Sequence, residues 1–330
     1  MISIVLLNWN GWKDTIECIE SIYNSVNVEF SVVIVDNGST DDSISKLTGH
    51  ISKMKARFIS LHEGEMLREP LLHHDLILYE LSDNYGFAKG NNLGLQLISN
   101  QAIDYYWILN NDTVVEPDTL EILQKFMDEN KQYVACTPQI RYFSPNNKIW
   151  NCGGKLFFGF RKYYYEGATD VVFRKDSFDI SFVTGCALFV RPELLNEKNE
   201  LFTEKFFFGE EDFEFSLRLK TQKMRMACST RSLIYHKVSA SIKKKPKLSG
   251  IYIHYLNRYI NVRHHFSTIE YFIWKLVNNI NLKRVLSNNG YDSKTINTFI
   301  KELNKESEIY DEVTKEIFET KINCILLDEL

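Results

Sequence analysis

No apolar run in these 330 residues approaches the roughly 20 needed to span a bilayer. The opening ISIVLL is too short for a signal peptide and lacks its basic lead, so the expectation is a cytoplasmic chain. The six cysteines, Cys18, Cys136, Cys152, Cys186, Cys228 and Cys324, include no CxxC pair. That spacing argues against a zinc site and a disulfide framework, and leaves them as reduced filler. No GxGxxG follows the first apolar run, so a dinucleotide-binding Rossmann unit lacks its phosphate fingerprint, and no Walker A sequence occurs. Acid is missing altogether between Phe215 and Ile269, where twelve Lys or Arg occur, including the run Lys243, Lys244, Lys245 and Lys247 around Pro246. The overall net charge of -4 hides this tract. An unbroken positive field attracts phosphates, nucleic acid or an anionic membrane, unless acidic segments elsewhere fold against it.

What is present is an ordinary globular composition. At 44% hydrophobic and 25% charged, the chain can bury one large core or a core with a smaller appendage. Ile2 to Leu7 is a continuous apolar run suited to a buried parallel strand, and Trp12, Ile16, Ile19 and Tyr23 then recur at helical spacing. Val32 to Val35 forms a second strand, ending in the turn Asp36-Asn37-Gly38-Ser39-Thr40-Asp41. Strand, helix, strand in this order implies a parallel sheet. Further strands are expected at Arg57 to Leu61, Leu76 to Glu80, Tyr105 to Leu109 and Val183 to Val190, giving an open α/β sheet. Residues 62–75 resemble a surface insertion, in which His73 and His74 on extended backbone point to opposite faces and stay structural.

Past residue 245, Tyr252, Tyr255, Tyr259 and Val262 return at helical spacing. Ile296, Phe299, Leu303, Tyr310, Val313 and Ile317 trace one apolar face on a Lys/Glu-rich helix. Core packing is the default use of such a stripe, with a homodimer as the alternative.

The chemistry concentrates at strand ends. The segment YWILNNDTVV, Tyr106 to Val115, is an apolar strand that delivers Asn110, Asn111 and Asp112 to its carboxyl edge, where α/β sheets bind ligands. A hard divalent cation that also holds a diphosphate needs only one or two protein oxygens. Asp112 can supply one, or the trio can be a turn using its side chains on backbone. Polar clusters at Asn8 to Gly11, Asp36 to Asp42 and Asn84 to Asn92 end other strands and converge on the same crevice. In FFFGEEDFEFSLR, Glu210, Glu211 and Asp212 open a helix, as its dipole favours. The three aromatics before them place Glu211 and Asp212 in an apolar setting that makes a carboxylate a better base. Glu214 and Arg218, four apart, read as a helix-surface pair. His236 ends another apolar stretch and could share a cation with Asp112.

Seven segments in order, SIVLLNWNG, VVIVDNGSTDDS, NYGFAKGNNLGL, WILNNDTVVEPDTL, TGCALFVRPELL, FFFGEEDFEFSLR and YHKVSAS, resemble a family 2 glycosyltransferase of the GT-A fold, close to the rhamnosyltransferase-like enzymes of bacterial surface polysaccharides. The resemblance covers residues 1 to about 245. It implies a GT-A domain over 1–245, with a nucleotide-sugar half at 1–115 and an acceptor and base half at 116–245, followed by a helical extension at 246–330. It implies donor contacts from Asn8, Asn10, Asp36, Asn84, Gly86, Phe87, Asn91, Asn110 and Asn111. Asp112 and His236 would hold Mg²⁺ or Mn²⁺, and Asp212, with Glu211, would be the catalytic acid pair, Asp212 as base. Inversion at the anomeric carbon follows from the resemblance alone. The first carboxylate of the family's DxD is Asn110 here, which weakens the hold on a cation.

The implied partners are a nucleotide-sugar donor (dTDP-rhamnose or a UDP-sugar), a glycan acceptor, lipid-linked or lipopolysaccharide, and an anionic membrane surface reached peripherally, with no nucleic acid. Trp150, Gly185 and Cys186 are the acceptor candidates, and the aromatic stretch from Phe157 to Tyr165 could pack on sugar rings or belong to the core. A non-catalytic glycan-binding relative should have lost an acid. A nucleotide-sugar-forming enzyme should carry a Gly-rich phosphate loop near its start, and none is present.

Overall fold

The computed structural model describes residues 1–169, 171–238 and 247–323. Three parallel strands form its centre: β1 (Ile2–Asn8), β2 (Phe30–Asp36) and β5 (Tyr105–Asn110), with Asn8 in register with Asp36 and Leu7 with Asn110. This register alone brings the three polar strand ends into one row. The sheet extends through β4 (Leu76–Glu80) and β3 (Phe58–His62), also parallel. On the other side lie β12 (Ala187–Val190), antiparallel to β5, then β7 (Tyr133–Tyr142), β13 (Arg225–His236) and β11 (Ser177–Ile180). Short strands β6 (Thr113–Val115) and β8 (Ile149–Asn151) pair with β13 and β7.

Alternation explains the layering. Ile2, Ile4 and Leu6 point to one face with Val32 and Ile34, under α1 (Trp12–Tyr23), α2 (Ser43–Ile51) and α4 (Thr119–Glu129). Val5, Val33 and Val35 point to the other, under α3 (Gly86–Leu97) and α5 (Glu211–Thr221). Both faces are covered, which is why these strands read as unbroken apolar runs. The mostly parallel sheet flanked by helices, with helices after it, is the expected fold class.

Four expectations change. The strand foreseen from Val183 begins at Ala187, because residues 183–186 leave the sheet edge to carry Gly185 toward α5. The Ile296 to Ile317 stripe belongs to two helices, α8 (Ser293–Ile309) and α9 (Lys315–Ile322). Val313 lies between them in a bridge to Phe206, and the Thr314 side chain accepts from the Ile317 N–H to start α9. His73 and His74 do not diverge: His74 has φ +66°, and the two rings lie against each other, tilted by 33° with centroids 3.6 Å apart, beside Phe30. Glu214 is buried, bonded to His265 as well as Arg218, so it is an inner pair and not a surface one.

α6 (Leu248–His265), α7 (Thr268–Asn288), α8 and α9 build a third core around Tyr252, Tyr259, Trp274 and Phe299. The 21-residue α7 was not legible in the sequence, because it is apolar on both sides. No helix of the described residues is long and apolar enough to cross a membrane. Of the lysine run, only Lys247 lies within the described residues. The described cysteines are free and buried.

Candidate active site

The row of strand ends is locked by side chains that face inward. Asn8 is buried; its amide donates to Asp36 Oδ2 at 2.6 Å and accepts from the Thr15 hydroxyl at 2.7 Å. Asp36, 1% exposed, also accepts from the Ser39 N–H and hydroxyl. Asn10 accepts from the Thr40 N–H at 2.8 Å. These three residues therefore shape the 38–41 loop, with Asn8 and Asp36 acting from behind it. Asn84 accepts from the Gly86 N–H and from Asn37, both at 2.9 Å. Gly86 has φ +82°, and a Cβ there would stand 1.9 Å from the Phe207 carbonyl, so only glycine lets α3 start against that loop. Asn91 is buried and bonds back to the Phe87 carbonyl.

Between these loops opens a cavity of about 270 Å³ lined by Trp9, Asn37, Asn84, Gly86, Phe87, Phe207, Phe208 and Phe318. Sequence reasoning missed four of its aromatic lining residues. Trp9 is half-exposed inside a quoted motif, Phe207 and Phe208 lie before the acids, and Phe318 comes from α9, whose ring sits 5.1 Å from Phe207. Nothing in the local pattern of α9 signals that contact.

At the β5 edge, Asn111 donates to the Thr15 hydroxyl at 2.8 Å, and Asp112 Oδ1 lies 3.0 Å from His236 Nε2. β13 places His236 there, pairing it with Thr113 in β6. Burial alone would raise the Asp112 carboxyl, but His236 and Lys237 outweigh it and hold it below the usual range. Burial opposes charge on His236, yet Cys186 and Asp112 push it up to about 10. Burial keeps Cys186 a thiol, so Asp112 is the anion that matters. Trp150 packs its ring edge-on to His236, centroids 4.5 Å apart.

Asp112 and His236 are the residues that would hold a divalent cation: a carboxylate oxygen and an imidazole nitrogen, both donor types such ions accept, converge to 3.0 Å at the sheet edge. Among the described residues no group of three His, Cys, Asp or Glu is placed to hold a metal ion without other ligands.

Gly185 and Cys186 join this pair to the acids. Asn110 N donates to the Cys186 carbonyl at 2.8 Å, and the Gly185 N–H faces Asp212 Oδ2 at 3.4 Å. Cys186 itself is buried behind His236, so of the two acceptor candidates only Gly185 borders the space before Asp212.

The three acids have different environments. Glu210, at φ +73°, is buried and gripped by Arg258, whose Nη2 donates at 2.8 Å and whose Nε also bonds it. Arg161 Nη1 lies 3.4 Å from Glu210 and 3.8 Å from Asp212. Asn261 bonds the Glu210 carbonyl and Asn257 those of Phe208 and Gly209, so α6 clamps the loop. Burial raises Glu211, and Asp212 beside it adds to this; its Oε2 is buried without a partner among the described residues. Burial also raises Asp212, against the pull of Arg161. Asp212 is the acid with both an open side and an N–H to orient it. Arg161, Arg258 and Asn261 were invisible to sequence reasoning, since a lone arginine on a helix or hairpin carries no motif.

Burial alone would raise the Glu210 carboxyl, but Arg258, His254 and Arg161 bring it from 4.5 to about 2. Its contribution to stability is therefore complete above about pH 4.5 and is lost as pH falls toward 2. Arg258→Ala, which strands a buried carboxylate, is expected to destabilise the fold by about 3–5 kcal/mol. Urea melts of wild type and of Glu210→Gln across that pH range check the titration: both midpoints should fall as other paired carboxylates such as Asp112 and Glu214 protonate, and the wild type's should fall more steeply.

A crevice at the carboxyl edge of a mostly parallel sheet is where α/β folds bind ligands. The family model for glycosyl transferase family 2 matches residues 3–197, and the chain belongs to that family. Glu210 to Asp212 and His236 lie beyond the matched stretch. An uncharacterised glycosyltransferase of Rickettsia conorii is 33% identical over 158 residues, 48% of this chain and 22% of its own length. Glycosyltransferase GlyG of Streptococcus pneumoniae is 23% identical over 216 residues, 65% of this chain and 62% of its own. The chain thus spans about a fifth of the rickettsial relatives it matches. Among solved structures, mannosyltransferase PcManGT from Pyrobaculum calidifontis, in complex with GDP-Man and Mn²⁺, aligns with a TM-score of 0.58 at 13% identity, covering 99% of this chain and 86% of that one. S. aureus TarS 1-349 in complex with UDP gives 0.51 at 15% identity, covering 87% and 72%. These likenesses show the GT-A fold.

Proposed function

We propose that this glycosyltransferase is inverting and moves a sugar from a nucleotide sugar, dTDP-rhamnose or a UDP-sugar, to a hydroxyl of a growing surface glycan that is lipid-linked or part of a lipopolysaccharide. The observation that carries the reading is the Gly185-Cys186 link, which sets a cation-competent pair and an oriented carboxylate on the two sides of one crevice. Asn110 in place of an acid supports the rhamnosyltransferase-like branch. The aromatic walls Trp9, Phe207 and Phe318 suit a nucleotide base, and the 38–41 loop suits its ribose.

Asp112 and His236 would hold Mg²⁺ or Mn²⁺, which when bound neutralises charge on the leaving diphosphate. Asp212 takes the proton of the attacking hydroxyl, its basicity raised by burial. The Gly185 N–H orients that carboxylate. Arg161 holds Asp212 and Glu210 together, and Glu211, kept protonated by burial, stays a structural neighbour. A hydroxyl attacking from the Asp212 side meets the anomeric carbon opposite the diphosphate, which inverts it. Nucleoside diphosphate release by purified protein, screened over a panel of nucleotide sugars with Mn²⁺, tests the reading. No release from any donor would leave a glycan-binding relative.

The acceptor reading places the protein on the inner face of the cytoplasmic membrane. Changing Lys243, Lys244, Lys245 and Lys247 to Gln should weaken binding to anionic vesicles by several kcal/mol, at about 1 kcal/mol per residue. Flotation at rising salt checks it, because screening should weaken the wild type in the same way. Salt-independent binding would assign the run another role.

A further inference from the structure

α7 has two apolar sides. Tyr271, Trp274, Asn278, Leu282 and Leu286 face the third core. On the outer side Ile269, Phe272, Ile273, Leu276 and Ile280 recur at helical spacing and stand in solvent, with Ile269 74%, Phe272 61% and Ile280 72% exposed. A contiguous exposed stripe of this kind marks an interaction surface. Its cations lie toward one end. Glu270 is spent on capping the start of the helix with Ser267, Lys275 is paired with Glu308, and Lys283 and Arg284 are exposed beyond the end of the stripe.

The hairpin of β9 (Gly154–Phe157) and β10 (Phe160–Tyr163) continues the surface. Its turn packs on the start of α7: a Cβ on Gly159 would stand 2.6 Å from the Trp274 ring nitrogen, and Phe158 meets Phe266 at 5.5 Å. The hairpin exposes Lys155 and Lys162, which are paired in register, and Phe157, 71% exposed. Lys220 is bonded to the Leu156 carbonyl beside them. Arg161, one residue before Lys162 on the opposite face of β10, reaches Asp212. The apolar and basic surface is therefore one strand's thickness from the catalytic acid.

We propose that the outer face of α7, with the tip of the β9–β10 hairpin, lies in the headgroup layer of an anionic phospholipid bilayer. Large apolar side chains with exposed cations beside them, Lys283 and Arg284 on the helix and Lys155 and Lys162 on the hairpin, suit that layer. In this arrangement the β9–β10 hairpin stands between the bilayer, the source of a lipid-linked acceptor, and Asp212, and the inference rests on the proposed acceptor class only for that purpose.

Flotation of the full chain with vesicles of neutral lipid alone, and of neutral with anionic phospholipid, tests it. Wild type should bind the anionic vesicles. Phe272→Ser combined with Leu276→Ser and Ile280→Ser should lower that affinity about tenfold or more, since the stripe supplies the buried apolar area. Fold and nucleotide-induced thermal stabilisation should be kept, because none of the three side chains is buried. As an independent reading, Phe272→Trp should shift its emission to the blue on adding anionic vesicles. Equal binding by the triple variant, no blue shift, or a wild-type dimer that the variant splits without vesicle binding would overturn the proposal, the last assigning the face to a second copy. Nucleoside diphosphate release with a soluble acceptor needs no membrane, so failure of the transfer reading and failure of this one are separable.

Discussion

Asp212→Asn is expected to fold, to bind the donor nucleotide as tightly as the wild type, and to turn over about 10² times more slowly or worse, the scale of general-base catalysis. The substitution keeps shape and keeps an acceptor for the Gly185 N–H, so α5 and the 183–186 segment should stay in place. What it removes is the proton acceptor. Calorimetric titration with nucleoside diphosphate, alongside steady-state transfer, separates the two effects. Near-normal transfer would remove Asp212 from the chemistry and shift attention to Glu211. That carboxyl is a poorer candidate, because burial and the neighbouring Asp212 hold it protonated.

Asp112→Ala should act on a different quantity. By deleting one of the two ligands proposed for the cation, it should weaken nucleoside-diphosphate binding in the presence of Mn²⁺ and lower transfer by several kcal/mol of lost charge stabilisation, on the order of 100-fold or more. Excess chelator should reproduce both losses in the wild type. His236→Ala should do so more mildly, since an imidazole that gives up its proton on binding the cation contributes a lone pair and no charge. Transfer that continues unchanged in chelator would overturn the roles given to Asp112 and His236, while leaving the base prediction untouched. The absence of a carboxylate at Asn110 makes this dependence steeper on Asp112, because no second acid of the motif shares the ion.

The sequence by itself determined the parallel centre of the sheet. Runs such as Ile2 to Leu7 and Leu76 to Glu80 are apolar on both faces and end in polar turns, and that pattern is a local consequence of burying a strand between two helical layers. It also made Asp112, Asp212 and His236 visible, because each interrupts or ends an apolar segment with an ionisable group. The pattern could not convey which partners those groups meet. His236 comes to Asp112 only because β13 runs beside β6, across more than a hundred residues. Asn8 and Asp36, readable as donor contacts, turn inward because parallel register stacks them on each other.

Only the tertiary structure decided the second tier. Glu210, Glu211 and Asp212 are three consecutive acids in the sequence, yet Arg258 and Arg161 neutralise the first, burial protonates the second and an N–H orients the third. α6, from the helical extension, supplies Arg258 and Asn261 to that loop, and α9 supplies Phe318 to the cavity beside Gly86. The physical reason is common to all of them. A carboxylate's charge state and an aromatic ring's role depend on what lies within a few ångströms, and those neighbours arrive from elements whose own sequences carry only the signal to pack.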